Sequence, residues 1–318
     1  MDNPLLDVRN LRVEYLTRRG PVRAVEDVSF KLEPGEVFGL AGESGSGKST
    51  IAHALLRILP PPALITGGQV MFEGRDVLEM NTADLQEFRW REMAIVFQSA
   101  MNALNPVMRI REQLVDVMHY HGVPPKEANE RARQLFDLVG IEPRRLEAYP
   151  HQLSGGMRQR AVIAIALALT PPLLIMDEPT TALDVVVQKD ILRQIAKLKE
   201  KMGFSILFIT HDLSLLVEFS TRIAIMYAGE IVERAPSREL FENPLHPYTV
   251  GLMNSFPSIS GLKKKLTGIP GAPPDLIAPP SGCRFHPRCA KAMDICKQTS
   301  PTTRKISSEH SVACHLFG

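Results

Sequence analysis

The chain has 318 residues, 44% of them hydrophobic and 23% charged, with a formal net charge of +2. Its length predicts one large domain plus an extension, and the near-balanced charge gives no compositional sign of nucleic-acid binding. The N-terminal "MDNPLLDVRNLRVEY" has no signal-peptide core. The longest apolar run, "AVIAIALALTPPLLIM" (161–176), is too short for a bilayer and is broken by Pro171-Pro172. It reads as a buried helix, a proline turn and a buried strand, and the chain is expected to be soluble by itself and to work in the cytosol.

"VFGLAGESGSGKSTIAHALLRIL" (37–59) reads as an apolar strand, a glycine-rich turn and an amphipathic helix. Gly42, Glu43, Ser44, Gly45, Ser46, Gly47, Lys48 and Ser49 fit G-x-x-x-x-G-K-[ST], the phosphate-binding loop. Backbone N–H groups of Glu43 to Lys48 are expected to turn inward around a phosphate, with a helix N-terminus aimed at the same place. Lys48 adds a full charge, and the hydroxyl of Ser49, followed by Thr50, suits Mg²⁺. Such a loop alone leaves kinases, GTPases, helicases and transport ATPases open.

Further along, "SAMNALNPVMRIREQLVDVMHYHG" (99–122) is rich in methionine, and Asn105-Pro106 predicts a turn. "KEANERARQLFDLVG" (126–140) predicts an amphipathic helix with Ala128, Ala132, Leu135, Phe136 and Val139 on one face and Gly140 at its C-terminal cap. "LSGGMRQRAVIAIALAL" (153–169) then opens a long helix at Ser154, Gly155 and Gly156. That is a second anion-binding helix start, one more than a single nucleotide needs. In "PPLLIMDEPTTALD" (171–184), Leu173 to Met176 form a buried parallel strand. It delivers Asp177, the Mg²⁺-side carboxylate, and Glu178, placed to polarise an attacking water, to the strand's carboxyl end.

After the core, "LKKKL" (262–266) reads as a solvated basic face, and "GIPGAPPDLIAPPSG" (268–282) has linker composition. All four cysteines follow: Cys283, Cys289, Cys296 and Cys314. A cytosolic chain disfavours disulfides. The spacing lacks the C-x2-C knuckle of common zinc sites and is not the ferredoxin run. An iron–sulfur cluster, zinc, free thiols and a redox pair all stay open, with His286, His310 and His315 near enough in sequence to replace a cysteine.

Taken together, these motifs resemble the ATP-binding-cassette (ABC) ATPases, whose signature is LSGGQ-like, across about residues 5–255. The resemblance extends to Tyr15 in "RVEYLTRRG", matching the adenine-stacking aromatic, and to Gln98 in "IVFQ", matching the Q-loop glutamine. Asp184 in "TALD" matches the D-loop and His211 in "ILFITHD" the switch histidine. Taken alone, Tyr15 reads equally as an ordinary strand aromatic, and Gln98 and His211 read more readily as a solvated loop amide and a capping histidine. The resemblance implies an α/β P-loop NTPase cassette: a RecA-like core, an antiparallel β subdomain and an inserted helical subdomain at about 99–165. The cassette would span 1–258, and a small Cys-rich extension 259–318.

It further implies ATP and Mg²⁺ as cofactors, with Ser49, Gln98 and Asp177 around the ion and Glu178, His211, Gln98 and Lys48 catalytic. Ser154 and Gly156 would close over ATP held by a second subunit, expected to be a paralogue. Met101, Leu104 and Met108 would receive a coupling helix from the membrane subunits. "NPLHPYT" and "GCRFHPRC" resemble the ATPases of oligopeptide and dipeptide importers. That branch implies two transmembrane permeases, an extracytoplasmic binding protein, a peripheral position on the cytoplasmic face of the membrane and a [4Fe–4S] cluster on the four cysteines, with zinc as the alternative. Import of an oligosaccharide or nickel complex remains open. A soluble ABC ATPase fits less well, because the chain has one cassette and no long coiled-coil insertion.

Overall fold

The computed structural model describes residues 3–98, 103–179, 184–255 and 268–318, in two compact units. The first takes in Met1–Leu32, Val37–Leu78 and Ile209–Gly318, the second Glu33–Glu36 and Glu79–Phe208.

In the first unit an antiparallel sheet runs in the order Gly20–Leu32, Leu6–Thr17, Ala63–Phe72, Arg75–Asp76. Its side chains alternate as a half-buried sheet requires: Val28, Phe30 and Leu32 are buried while Ser29 and Lys31 are exposed. A second set of strands lies in the order Thr303–Lys305, Ser311–Ala313, Glu230–Pro236, Arg222–Tyr227, Val37–Ala41. Val37–Ala41 is buried at every residue and runs parallel to Arg222–Tyr227, in register Phe38↔Arg222 to Ala41↔Ile225. Continuous burial on both faces is why this strand has no polar alternation in sequence. Phe38 stacks on Phe30 with ring centroids 5.2 Å apart. The tail enters this layer directly, since Ser311–Ala313 pairs antiparallel with Glu230–Pro236 through Glu233↔Val312 and Arg234↔Ser311.

In the second unit Ser205–Ile209, Leu173–Asp177 and Met93–Val96 lie side by side, the last two parallel from Met93↔Leu173 to Val96↔Met176. Among the described residues it also contains helices Thr82–Arg91, Ile110–Tyr120, Pro125–Leu138, Gly155–Ala166 and Val185–Met202. The helix expected over 126–140 is Pro125–Leu138, with Ala128, Ala132, Leu135 and Phe136 buried on one face. Val139 is buried after it, and Gly140 ends it at φ +68°. The apolar run 161–176 divides as its prolines dictate, the helix ending at Ala166 and the strand beginning at Leu173.

In the methionine-rich segment exposure is uneven, with Met108 half-buried. Leu104 is 5% exposed and belongs to the packing of its own subdomain, whereas neighbouring Val107 is 80% exposed. Met101 lies outside the described residues, as does the basic run 262–266.

Candidate active site

The loop from Gly42 to Gly47 joins strand Val37–Ala41 to helix Lys48–Leu55. Its two motif glycines are required by backbone sign and by room. Gly42 has φ +149°, and a Cβ there would stand 2.2 Å from the Met226 carbonyl oxygen; Gly47 has φ +102°, and its Cβ would stand 2.2 Å from that of Ala24. Neither position admits a side chain without displacing backbone.

Lys48 is only 5% exposed. Its Nζ donates to the carbonyls of Gly42 at 2.9 Å and Glu43 at 3.0 Å, and lies 3.4 Å from Ser46 Oγ. A buried ammonium beside the positive end of a helix favours an anion on electrostatic grounds. Tyr15 reaches the first turn of the same helix, its hydroxyl 3.3 Å from Thr50 Oγ1. Ser49 lies half-buried in that turn. The cradle departs from expectation at two amides. Glu43 N–H donates to Tyr248 Oη at 2.9 Å and Ser46 N–H to the Glu43 carbonyl at 3.2 Å, so both are committed within the protein. His211, also in this unit, is exposed at the residue before Asp212, which caps helix Leu213–Phe219.

The second unit carries the carboxylates. Asp177 ends strand Leu173–Asp177 and is 2% exposed. Glu178 follows at φ +46°, a left-handed conformation that is uncommon without glycine and is concentrated at functional sites. Gln98 Nε2 donates to Glu178 Oε2 at 2.7 Å, which orients the carboxylate. Two residues that the sequence separates by eighty positions therefore share one hydrogen bond.

Ser154 caps helix Gly155–Ala166, its Oγ accepting from Met157 N–H at 3.3 Å. Gly156 packs close to the next helix, where a Cβ would meet Val187 Cγ1 at 3.2 Å. Asp184 caps that helix, Val185–Met202, by accepting from the amides of Val186 and Val187. The other residues of "TALD" lie outside the described residues.

Residues 25–181 match the family model described as ABC transporter, and residues 232–296 the model described as oligopeptide/dipeptide transporter, C-terminal region. The chain is 43% identical over 316 residues to the dipeptide transport ATP-binding protein DppD of Caldanaerobacter subterraneus subsp. tengcongensis, covering 98% of this chain and 97% of that protein. This chain belongs to the ABC transporter ATP-binding family. It is also 44% identical over 318 residues to the oligopeptide transport ATP-binding protein OppD of Bacillus subtilis, covering 98% and 89% of the two chains. Among solved structures it is similar to the dimeric ATP-binding cassette MJ0796 in a post-hydrolysis state bound to ADP and Pi. There the TM-score is 0.65 and the identity 28%, over 73% of this chain and 99% of that one.

As an ABC ATPase the chain uses ATP and Mg²⁺. Ser49 in the first unit, and Gln98 and Asp177 in the second, each carry a hard oxygen donor of the kind that Mg²⁺ prefers. No helix among the described residues is long and apolar enough to cross a membrane.

The expected [4Fe–4S] or zinc site in the tail is not supported. All four cysteines are free, yet among the described residues no group of three or more His, Cys, Asp and Glu side chains is set to hold a metal ion. Burial is the main reason the Cys283 thiol is pushed up to about 11, with Cys296, Cys314 and Cys289 adding to it. Burial raises Cys289 and Cys314 as well. This mutual influence shows that the thiols share one neighbourhood, but it falls short of a ligand set. The three histidines are engaged elsewhere. His286 Nδ1 contacts the Cys283 carbonyl at 2.9 Å, His315 Nε2 the Thr299 carbonyl at 2.8 Å, and His310 bridges Glu233 and Glu239 at 2.8 and 2.9 Å.

Charge pairing and sheet addition hold the tail against the rest of the first unit. Arg284, with 7% of its side chain exposed, pairs with Glu230 at 2.9 Å and Glu26 at 3.3 Å, and donates to the Ala228 carbonyl. Glu233, 1% exposed, accepts from the amides of Leu245 and His246 and faces His310. Buried carboxylates and guanidinium groups survive only when satisfied in this way. Sequence reasoning missed Arg284, Arg288, Tyr227 and Tyr248. The signal available was "CRFHPRC" itself, where two arginines stand between the cysteines.

Proposed function

We propose that this chain is the ATP-hydrolysing subunit of an importer of di- or oligopeptides, acting peripherally at the cytoplasmic face of the membrane. The peptide cargo follows the printed function of the two relatives and the C-terminal family match. The cassette is assigned to residues 1–258, with its helical subdomain at about 99–165, and the extension to 259–318. Partners are two transmembrane permeases, an extracytoplasmic binding protein and a second ATPase subunit, expected to be a paralogue. No metal is assigned to the tail.

In this reading Tyr15 stacks the adenine. The loop from Gly42 to Thr50 holds the phosphates, with Lys48 as its cation. Ser49, Gln98 and Asp177 hold Mg²⁺, which would neutralise phosphate charge when bound. Glu178 accepts the proton of the attacking water, and His211 contacts the terminal phosphate. Ser154, Gly155 and Gly156, with Asp184, serve the nucleotide of the partner subunit, which accounts for the surplus helix start.

The hydrolytic assignment rests on one observation, the 2.7 Å bond from Gln98 to a Glu178 held at φ +46°. Glu178→Gln is expected to bind Mg–ATP within a few-fold of wild type while hydrolysis falls about 10²- to 10⁴-fold. Turnover within a few-fold of wild type would overturn the general-base role. Purification from native membranes should recover permeases, and recovery of DNA-repair or ribosomal proteins would overturn the transport role.

A further inference from the structure

The tail touches the phosphate-binding loop through one buried side chain. Arg288 Nη1 donates to Glu43 Oε2 at 2.7 Å and Nη2 to Glu43 Oε1 at 3.0 Å, a two-pronged ion pair between residues 245 positions apart. Its Nε donates to the Pro270 carbonyl at 2.8 Å, and Nη2 also reaches the Gly271 carbonyl at 3.3 Å. The guanidinium lies over the Tyr227 ring, 5.7 Å from its centroid. Only 6% of the Arg288 side chain is exposed, against 26% for Glu43.

Glu43 is thus gripped at three points. Arg288 holds its carboxylate, Tyr248 Oη accepts from its amide, and Lys48 donates to its carbonyl. Pro273, Pro274 and Leu276 of the tail line a small cavity together with the loop residues Glu43 to Ser46. This loop must present its backbone donors in one conformation, because preorganised donors cost no reorganisation when an anion arrives. It also carries a liability, since a carboxylate in a triphosphate cradle repels the ligand the cradle serves. Arg288 answers both needs by fixing Glu43 in place and cancelling its charge. The planar guanidinium fork matches a carboxylate in a way that a lysine ammonium cannot.

We infer that Arg288 is a positioning residue for nucleotide binding, and that its ion pair with Glu43 couples the C-terminal tail to the ATP site. This rests on the reading of Gly42–Ser49 as the ATP cradle. Coupling of this kind is reciprocal, so ATP firms the tail as much as the tail firms the loop.

The test uses the purified full-length chain and a fluorescent ATP analogue with Mg²⁺ at fixed ionic strength. Arg288→Gln, which leaves Glu43 charged and unpaired, should raise the nucleotide Kd on the order of 5- to 20-fold. Glu43→Gln, which loses the ion pair but also removes the repelling charge, should raise it less than Arg288→Gln does. The double variant should bind more tightly than Arg288→Gln, because the orphaned charge is gone, whereas a merely structural role for Arg288 gives no such rescue. Wild-type affinity in Arg288→Gln, or no rescue in the double variant, overturns the inference.

Should Arg288→Gln fail to fold, hydrogen exchange in the wild type decides. Saturating Mg–ATP is expected to slow amide exchange across residues 268–290, and unchanged exchange there overturns the coupling. A wild-type chain that binds no nucleotide would instead remove the ATP-cradle reading, whereas wild-type binding with unmoved variants removes only the role of Arg288.

Discussion

The phosphate-binding loop and the C-terminal tail are neighbours in the first unit, yet their sequences announce themselves in opposite ways. The loop is built from residues adjacent in sequence, and its motif states its geometry: Gly42 and Gly47 stand where no Cβ fits, and Lys48 turns back on the loop's own carbonyls. The tail advertises four cysteines, but the contacts that anchor it are made by Arg284, Arg288 and His310 to carboxylates far away in the chain. Local chemistry is written as spacing. Long-range charge pairing leaves no spacing to read, even where it binds the two regions together.

The contrast is tested most severely at Gly47. If the loop is fixed by steric necessity, Gly47→Ala must force a left-handed backbone on alanine and press its Cβ into the Ala24 carbonyl. Each of these effects costs about 1–3 kcal/mol. A thermal unfolding midpoint lowered accordingly, with nucleotide binding lost, is the expected result. A variant of wild-type stability and affinity would show that the loop has more latitude than its motif implies.

How far the sequence reveals this molecule follows the same division. The strands Val37–Ala41 and Leu173–Asp177 and the helix Pro125–Leu138 were legible, because burial on one or both faces imposes a periodicity that composition must obey. Gln98 and Glu178 were legible as separate motif residues, though not their bond or the positive φ of Glu178. Leu104 is buried, and in sequence an apolar side chain in such a segment looks the same whether it faces a partner or its own core. In sequence Glu43 is one more loop amide, whereas in the structure its amide serves Tyr248 and its carboxylate the tail.

A second test concerns His246, which joins the two regions through the helix Pro247–Asn254. The imidazole caps that helix by accepting the Tyr248 N–H on Nδ1, while its own amide donates to Glu233. Burial lowers its folded pKa from 6.5 to about 4. Between those values the unfolded chain binds more protons, so stability falls as the pH drops below about 6.5, and the contribution is gone below about 4. The difference is about 3 kcal/mol across that window. His246→Asn keeps a capping oxygen and removes the titration. Its unfolding midpoint should therefore decline less steeply than that of the wild type between pH 6.5 and 4, and parallel curves would show that His246 takes no part in the acid response.

The smallest effect sharpens the comparison most. A segment as short as 268–318 has too little core of its own to fold unaided, so something must supply its stability. If that is docking through Arg284, Arg288 and the added strand Ser311–Ala313, the cysteines are small, partly buried apolar groups and little more. Cys289→Ser and Cys314→Ser, at two half-buried positions, should then each cost about 1 kcal/mol or less. Their combination should cost close to the sum of the two, apart from the modest coupling that neighbouring side chains show. A metal clamp predicts the reverse: either substitution alone would release the tail, and the second would cost nothing further. Unfolding of the single and double variants, prepared without oxygen, separates additive small losses from one large non-additive loss. The second pattern would return the cysteines to the centre of the tail's architecture.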